Sequence, residues 1–407
     1  MVGKITRKYS AGGSHHPVII IGAGPAGLST AACLSVLSIP YVILERDSCI
    51  ASLWRRRAYN RLKLHLAKRF CQLPHMPYPA GTPTYIPKDR FIEYLDDYAA
   101  RFDVRPEFGC FVESAVYREG EGEWGVRVRR VNGEEREYVG GYVVVATGEN
   151  GAPHVPEFEG MGGFEGEVVH SADYKSGDRY KGMRVLVVGC GNSGMEIAYD
   201  LASHGAFTYV CARSKFHVMS KEMIYWGMVL LDRKMPLWIV DKFCVFLSEL
   251  RYGDLSKFGI IRPKDGPFFL KATLGKSPVI DVGTVHKIKT GEIQVLPGIS
   301  YFEGGNCVKF TNGASHRFDA ILFATGYKSI ANKWVQDETN FLNEQGLPAK
   351  KFPDHWKGEN GIYSAGLSRR GLDGIASDAR LIANDINMIM KSKRPFTNHT
   401  YEACKEN

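Results

Sequence analysis

The sequence lacks the features of several protein classes. Its nine cysteines are scattered and include no C-x-x-C pair, which argues against a disulfide framework, a zinc cluster and a thioredoxin-type redox pair. We therefore predict no metal site. The first 16 residues are basic and polar, without the apolar run of a signal peptide, so we interpret residues 1–16 as a flexible tail. A cytoplasmic protein is expected, with association with the endoplasmic reticulum as an alternative.

The sequence also lacks an uninterrupted apolar run of the about 18 residues that a membrane span needs. Its longest apolar segment, Met223 to Leu250, is interrupted by the charged residues that begin at Asp232. We therefore predict two amphipathic helices separated near Pro236, as a helical insertion over about residues 220–255. Their aromatic face could roof a pocket, lie on a membrane surface, or form core or dimer contacts. The sequence leaves the oligomeric state open.

Basic residues are not concentrated in one place. The formal net charge is +8, but 52 lysines and arginines are interspersed with 44 acidic residues. Nucleic-acid-binding proteins have a clustered basic face or a recognisable module, so we expect no nucleic-acid partner. With 407 residues, of which 44% are hydrophobic, the chain is long enough for two or three folded domains.

Two glycine-rich turns are present, and each follows an apolar strand and precedes a helical pattern. GAGPAG follows the strand Val18–Ile21, and GCGNSG follows the strand Val185–Val188. In such a turn the first glycine permits a bend, the second lets the backbone approach a pyrophosphate, and the third lets the helix pack on the strand. The predicted cofactor contacts in these turns are Gly22, Ala23, Gly24, Pro25, Ala26, Gly27, Gly189, Cys190, Gly191, Asn192, Ser193 and Gly194.

The residues that end the second strand of each unit distinguish the two nucleotides. Glu45 lies 23 positions after Gly22, where a carboxylate accepts hydrogen bonds from a ribose 2′-hydroxyl and repels a 2′-phosphate. This position favours FAD or NAD. Arg213 lies 24 positions after Gly189, and its guanidinium matches a 2′-phosphate, which favours NADPH.

The order of the motifs along the chain predicts the domain organisation. Strands that end in ATG occur at Tyr142–Gly148 and again in Asp319–Tyr327, and the segment from Gly361 resembles one more strand, loop and helix. We predict an α/β fold with two Rossmann-like domains, in which the NADPH domain is inserted into the FAD domain. The first part of the FAD domain covers 17–155, the NADPH domain 156–325, and the second part of the FAD domain 326–407. A permanently held flavin suits the split domain.

A further motif lies between the two units. In FEGEVVHSADY, Phe164, Gly166, His170 and Tyr174 have the F-x-G-x-x-x-H-x-x-x-[FY] spacing of the class B flavin-dependent monooxygenases. Together with SLWRRRAYNRLKLHLAKRFCQLPHMPYP, PTYIPKDRFIEYLDDYA and RRGLDGIASDARLIANDI, this motif makes the sequence resemble the plant YUCCA flavin monooxygenases of auxin biosynthesis. The resemblance covers nearly the whole chain after the tail.

The resemblance implies FAD at the first turn, NADPH at the second, and oxidative decarboxylation of indole-3-pyruvate to indole-3-acetate through a C4a-peroxyflavin. The implied partners of the protein are a small 2-oxo acid substrate and O₂. Leu53 and Trp54 match the pair beside the flavin, and Arg55 follows them. His65 stands where many relatives have asparagine, and it and His170 are the candidate catalytic residues, His170 with a structural tie between domains as the alternative.

The sequence leaves some alternatives open. Lys63, Arg369 and Arg370 are candidates for contacting the substrate carboxylate. Asn192 and Ser193 are expected to hydrogen-bond the retained nucleotide. The same cofactors could instead serve N- or S-oxygenation of a soft nucleophile, or a flavin-bound redox-sensing protein.

Overall fold

The computed structural model describes residues 14–15, 17–336 and 338–392, so most of the predicted tail over 1–16 lies outside the described residues. The α-helices in this part of the chain are α1 (Pro25–Val36), α2 (Lys88–Arg101), α3 (Asn192–Ser203), α4 (Lys221–Asp232), α5 (Leu237–Tyr252), α6 (Pro267–Leu274), α7 (Thr284–Lys289) and α8 (Gly371–Ser392).

The β-strands are numbered in chain order in the same way. They are β1 (Ser14–His15), β2 (Val18–Ile21), β3 (Tyr41–Leu44), β4 (Cys110–Arg118), β5 (Glu123–Arg130), β6 (Glu135–Gly140), β7 (Tyr142–Val145), β8 (Ala152–Pro153), β9 (Glu167–His170), β10 (Arg184–Val188), β11 (Phe207–Cys211), β12 (Val218–Met219), β13 (Val279–Ile280), β14 (Ile293–Leu296), β15 (Ile299–Gly304), β16 (Cys307–Phe310), β17 (Ser315–Arg317), β18 (Ala320–Phe323), β19 (Tyr327–Lys328), β20 (Val335–Gln336) and β21 (Ile362–Ser364).

The first unit is built on a four-stranded parallel sheet in the order β21-β7-β2-β3. A parallel sheet must be covered on both faces. Helices α1, α2 and α8 cover one face with side chains such as Leu28, Leu95 and Ile382. The five-stranded sheet β1-β6-β5-β4-β20 covers the other with Trp124 and Val126. Burial of each large aliphatic side chain here contributes about 1.5–3 kcal/mol.

The second unit repeats this arrangement on a five-stranded parallel sheet in the order β14-β11-β10-β18-β9. Helices α3 and α7 pack on one face, and the antiparallel sheet β15-β16-β17 packs on the other. Since β21 and α8 return to the first unit, the second unit lies within the chain of the first. The predicted α/β class with two Rossmann-like domains, one inserted into the other, is confirmed.

The apolar segment from Met223 to Leu250 forms two helices, since α4 ends at Asp232 and α5 begins at Leu237, after Pro236. Helix α6 extends this helical region beyond the predicted end near residue 255. The side chains of Trp226, Trp238 and Phe246 are 54%, 62% and 61% exposed, so they are not part of the core of the described chain. Within residues 17–336 and 338–392, no helix combines the length and apolar character needed to cross a bilayer.

Candidate active site

The first glycine turn connects β2 to α1 at the carboxyl end of the sheet. Gly22 has a φ of +108°, and a Cβ on this residue would lie 2.6 Å from the carbonyl oxygen of Ala146. A Cβ on Gly27 would lie 1.9 Å from the carbonyl oxygen of Gly22. Apart from its chain neighbours, no described atom lies within 4 Å of the corresponding position at Gly24. Glycine is thus needed for folding at the first and third positions, while the second faces an open site.

The second glycine turn, between β10 and α3, has the same geometry. Gly189 has a φ of +113°, and its Cβ position lies 2.5 Å from the carbonyl oxygen of Ala324. The Cβ position of Gly194 lies 2.0 Å from the Gly189 carbonyl oxygen, and that of Gly191 has no described atom within 4 Å. Each ATG segment noted in the sequence therefore packs against the first glycine of one turn.

The amino ends of both following helices lack side-chain caps. Gly24 caps α1 and Gly191 caps α3, and neither cap supplies a side-chain hydrogen bond to the first turn of the helix. Such a helix end has unsatisfied N–H groups and a partial positive charge, which together favour a bound phosphate. Both turns therefore fit the pyrophosphate of a dinucleotide.

Glu45 follows β3 and turns back to the first glycine turn. Its Oε2 accepts a hydrogen bond of 2.7 Å from the Ala23 N–H, and its Oε1 accepts one of 2.9 Å from the Asp47 N–H. Burial raises the pKa of this carboxyl, although the two backbone N–H groups oppose the shift. Each oxygen keeps a second lone pair, so the carboxylate can still accept a ribose hydroxyl.

A cleft of about 480 Å³ lies beside Glu45, lined by Arg46, Arg57, Gly151 and Trp334 among others. This cleft is next to the strand end where the sequence predicts a ribose. The corresponding end of β11 carries Arg213, whose side chain is exposed and whose Cγ lies 3.5 Å from the Cβ position of Gly298.

The segment Leu53–Arg57 forms one turn of π-helix against the first glycine turn, because the Ala51 N–H donates a hydrogen bond of 2.9 Å to the Ala23 carbonyl. The Trp54 ring packs edge-on against Phe91, with ring centroids 4.7 Å apart. Arg55 donates from Nε to the Ile50 carbonyl and forms an ion pair with Asp96. The predicted flavin neighbours Leu53, Trp54 and Arg55 are thus held beside the turn by packing and hydrogen bonds.

Asn192 uses its amide within the protein. Its Oδ1 accepts a hydrogen bond of 2.7 Å from the Ile280 N–H, and its Nδ2 lies 3.5 Å from the Pro278 carbonyl. The side chain therefore fixes the chain that follows α6 to the second glycine turn. A direct contact of Asn192 with the nucleotide, as expected from the sequence, stays a prediction.

His65 points towards the second unit, at a buried carboxylate of α3. Its Nε2 lies 3.4 Å from Glu196 Oε1, without the direction of a hydrogen bond. The Tyr59 hydroxyl donates a hydrogen bond of 2.7 Å to Glu196 Oε2. Burial alone would raise the pKa of Glu196, but the contacts with His65 and Tyr59 outweigh burial and lower it. This connection between the units was missed in the sequence, since nothing local in EIAYD marks it.

A second carboxylate, one turn further along α3, has partners on both units. Asp200 accepts hydrogen bonds from the Tyr174 hydroxyl at 2.6 Å and from the Gly177 N–H at 3.0 Å. Arg61 lies 3.7 Å from the same carboxylate and stacks over the ring of Tyr199. The fingerprint residue Tyr174 therefore orients α3.

His170 ends β9 next to the second ATG segment. Its Nδ1 accepts a hydrogen bond of 3.1 Å from the Ala172 N–H, and its Nε2 lies 3.1 Å from the Gly326 carbonyl oxygen. Burial lowers its pKa, and the neutral ring that results satisfies both contacts. Because both ring nitrogens are occupied, this arrangement favours the structural tie over proton transfer.

The three candidates for the substrate carboxylate lie in different surroundings. The Arg370 guanidinium lies 4.0 Å from the ring centroid of Phe352, and Lys63 is exposed. Arg369 lies 3.8 Å from Glu149 Oε2 and interacts electrostatically with Lys271 of α6. Glu149 and Lys271 were missed in the sequence analysis, because no local pattern marks a single acid after ATG or a single lysine in a short helix.

Comparison with known proteins shows the family of the chain. The family model "Flavin-binding monooxygenase-like" matches residues 15–353. The chain is 50% identical over 374 residues to the Arabidopsis thaliana protein "Probable indole-3-pyruvate monooxygenase YUCCA10", covering 92% of this chain and 97% of that protein. It is 48% identical over 381 residues to "Indole-3-pyruvate monooxygenase YUCCA6" of the same plant, covering 92% and 90%.

Solved structures share the fold at low sequence identity. A flavin-containing monooxygenase from Stenotrophomonas maltophilia is similar with a TM-score of 0.69 and 19% identity, covering 93% of this chain and 99% of that one. A structure titled "Oxidized steroid monooxygenase bound to NADP" is similar with a TM-score of 0.70 and 18% identity, covering 93% and 85%.

Proposed function

The chain belongs to the flavin-binding monooxygenase-like family, in its YUCCA branch, and from this premise we propose that it oxidatively decarboxylates indole-3-pyruvate to indole-3-acetate with FAD, NADPH and O₂. The observation that carries the proposal is the pair of glycine turns of equal geometry, each with an open second glycine and an uncapped helix. The names of the relatives support the substrate, and the turns support the two dinucleotides.

The first unit fits FAD. The N–H groups at the start of α1 would hold the pyrophosphate, with Gly24 as the point of closest approach. Glu45 would accept the ribose hydroxyl, and the adjacent cleft of about 480 Å³ has room for the adenosine part. When bound, FAD supplies the hydride acceptance and the oxygen activation that amino-acid side chains do not provide.

The second unit fits NADPH. Gly191 and the amino end of α3 would hold its pyrophosphate, and Arg213 would pair with the 2′-phosphate. The exposed position of Arg213 suits a nucleotide that enters and leaves. Glu196 and Asp200 hold α3 against the segment that follows Leu53–Arg57, so the second turn keeps a fixed position relative to the first.

The role of the side chains is then to position the cofactors and exclude water. Leu53 and Trp54 would shield the flavin side of the turn, and Arg55 holds that segment through Asp96. His65 and His170 would act by positioning: His65 through Glu196 and His170 through the second ATG segment. Exclusion of water from the reacting centre prevents side reactions of reactive intermediates.

One experiment tests the proposal. The purified chain should carry the yellow absorbance of FAD, oxidise NADPH faster when indole-3-pyruvate is added, and form indole-3-acetate in proportion to the NADPH consumed. A tertiary amine in place of the 2-oxo acid tests the N-oxygenase alternative. N-oxide formation without indole-3-acetate, or NADPH oxidation that yields only hydrogen peroxide with every acid, would overturn the proposal.

A further inference from the structure

Three charged side chains from distant parts of the chain interact with one another. Glu149 follows the first ATG segment, Arg369 precedes α8, and Lys271 lies on α6. The Nε of Arg369 lies 3.8 Å from Glu149 Oε2, and the charge of Lys271 acts on both. The cluster holds two cations and one carboxylate, so it has an excess of one positive charge.

The segments that carry two of the three residues contact the first turn. Glu149 comes three residues after Ala146, whose carbonyl oxygen contacts the Cβ position of Gly22. Arg369 comes three residues after Gly366, whose Cβ position lies 3.1 Å from the Cβ of Ala26. Both charges therefore follow segments that pack on the turn where we place FAD.

Helix α6 brings the third charge from the second unit. Asp241 of α5 accepts hydrogen bonds from the Phe268 and Phe269 N–H groups at 2.8 and 3.1 Å, which fixes the amino end of α6. At its carboxyl end, the Cβ position of Gly275 lies 3.2 Å from the Cδ of Arg369.

The chain then continues from α6 to the second glycine turn, where the Ile280 N–H donates its hydrogen bond to Asn192. The segment from Lys271 to Ile280 thus joins the charged cluster to the second glycine turn. A substrate that reacts with a flavin while a nicotinamide nucleotide is held in the second turn must bind between these two turns. Arg369 contacts this segment at Gly275, so the cluster adjoins the chain that leads to the second turn.

Partial burial makes the charges of Lys271 and Glu149 costly, whereas the Arg369 side chain is 44% exposed. Burial lowers the pKa of the Lys271 ammonium, and Glu149 opposes this shift. Burial raises the pKa of the Glu149 carboxyl, and Lys271 and Arg369 oppose that shift. One carboxylate shared by two cations leaves part of their charge unpaired, so a second anion would be bound favourably.

We propose that Lys271 and Arg369 together bind the carboxylate of the 2-oxo acid substrate, and that Glu149 holds Arg369 in place beside it. This inference rests on the proposed function, because it assigns the specificity of the same site. It selects Arg369 from the three sequence candidates, since Arg370 stacks on Phe352, and it adds Lys271, which the sequence did not indicate.

The test compares binding of an acid and a neutral isostere by the FAD-loaded protein. Calorimetric titration with indole-3-acetate measures the carboxylate contact, and titration with indole-3-acetamide measures the rest of the site. Lys271→Gln and Arg369→Gln should each weaken indole-3-acetate binding about tenfold, as expected for a lost charge-assisted hydrogen bond, and leave indole-3-acetamide within about twofold. Lys271→Arg should retain most of the acid binding.

Glu149→Gln is expected to change indole-3-acetate binding in the opposite direction to Lys271→Gln and Arg369→Gln. The Gln amide oxygen can still accept from Arg369 and hold it, but the negative charge that opposes the substrate carboxylate is removed. Indole-3-acetate binding should therefore tighten by about threefold, which a merely damaged site would not do. Lys264→Gln, at an exposed lysine of the same helical region, is the matched control and should behave as the parent protein. FAD content and the rate of flavin reduction by NADPH should stay unchanged in Lys271→Gln, while its KM for indole-3-pyruvate rises.

Unchanged acid binding in both Lys271→Gln and Arg369→Gln, or equal weakening for acid and amide, would overturn the inference. Its failure is distinct from failure of the proposed function. A parent protein that makes indole-3-acetate, with variants of unaltered affinity, refutes only the carboxylate site. A parent protein that binds indole-3-acetate through Lys271 but never forms it from indole-3-pyruvate refutes the proposed reaction and supports the site.

Discussion

At the scale of single residues, Gly191 is expected to matter for nucleotide binding and Gly194 for folding. A methyl group on Gly191 meets no described atom of the protein, whereas one on Gly194 lies 2.0 Å from a backbone oxygen. We expect Gly191→Ala to keep the thermal stability of the NADP⁺-free protein and to raise the KM for NADPH at least about tenfold, because the methyl group occupies the space of the pyrophosphate. Gly194→Ala should destabilise the protein by about 1–3 kcal/mol through overpacking.

Thermal unfolding without nucleotide, followed by NADPH kinetics, checks both variants. Gly24→Ala and Gly27→Ala are the matched pair in the first turn. Gly24→Ala should weaken FAD retention, and Gly27→Ala should destabilise the fold. If Gly191→Ala bound NADPH like the parent protein, the second turn would not be the nucleotide site.

Arg213 is predicted to decide between NADPH and NADH. Its guanidinium is the charged group at the end of β11 where the 2′-phosphate is expected. Arg213→Gln should lower kcat/KM for NADPH about tenfold, the usual effect of losing a charge-assisted hydrogen bond, and leave kcat/KM for NADH nearly unchanged. Steady-state kinetics with both nucleotides measure the change. An equal loss with NADPH and NADH would show that Arg213 supports the fold rather than the phosphate.

At the scale of elements, α3 is held to the first unit by the buried carboxylate of Glu196, whose ionisation makes stability depend on pH. Contacts with His65 and Tyr59 overcome burial and hold the pKa of Glu196 below its ordinary value. The unfolded chain therefore takes up a proton at a higher pH than the folded protein does. The stabilisation is complete above the ordinary glutamate pKa of about 4.3 and is lost as the pH falls through the lower value of the folded state.

Glu196→Gln should consequently lower the thermal midpoint at pH 7, with a loss of about 1–3 kcal/mol for the weakened buried contacts. The difference in midpoint between parent and variant should shrink on going from pH 7 to about pH 3.5, because the parent loses the same contribution by protonation. Melting curves at several pH values measure this convergence. Glu165→Gln, at an exposed carboxylate of the same unit, should show no such convergence. A constant difference across the pH range would contradict the pKa assignment.

Elements that depend on local sequence were predictable, and contacts between distant elements were not. The pattern of strand and glycine turn predicted a helix directly after each turn, and α1 (Pro25–Val36) and α3 (Asn192–Ser203) begin there. A glycine turn is a local feature, since its φ and its close contacts involve a few residues. The hydrogen bond between Tyr59 and Glu196 joins residues 137 positions apart, and the meeting of Lys271 with Glu149 and Arg369 requires three segments to fold together. Sequence patterns carry no record of such packing.

At the scale of the whole molecule, the chain passes from the first unit to the second and back at one place. The outgoing strand β8 and the returning strand β19 pair with each other, Ala152 with Lys328 and Pro153 with Tyr327. The Phe158 ring, just beyond the crossing, packs on Phe302 of the second unit, with ring centroids 6.0 Å apart. We propose on this basis that the domain boundaries lie near residues 155 and 325, and this boundary has a direct consequence for fragments.

The inserted domain is continuous in sequence, whereas the FAD domain is made of two separate segments. The two domains should therefore differ in whether a single fragment of the chain folds alone. A fragment of residues 156–325 contains all five strands of the second parallel sheet and should fold alone, with a lower thermal midpoint because Glu196 and Asp200 lose Tyr59, His65 and Arg61. It should still bind NADP⁺, which raises the midpoint by mass action. A fragment of residues 17–155 lacks β21 and α8, whose Ile382 and Ile386 are fully buried against the first unit, and should not fold or retain FAD. Circular dichroism and NADP⁺ titration of the two fragments measure this contrast, and a folded, flavin-binding 17–155 fragment would refute the split-domain assignment.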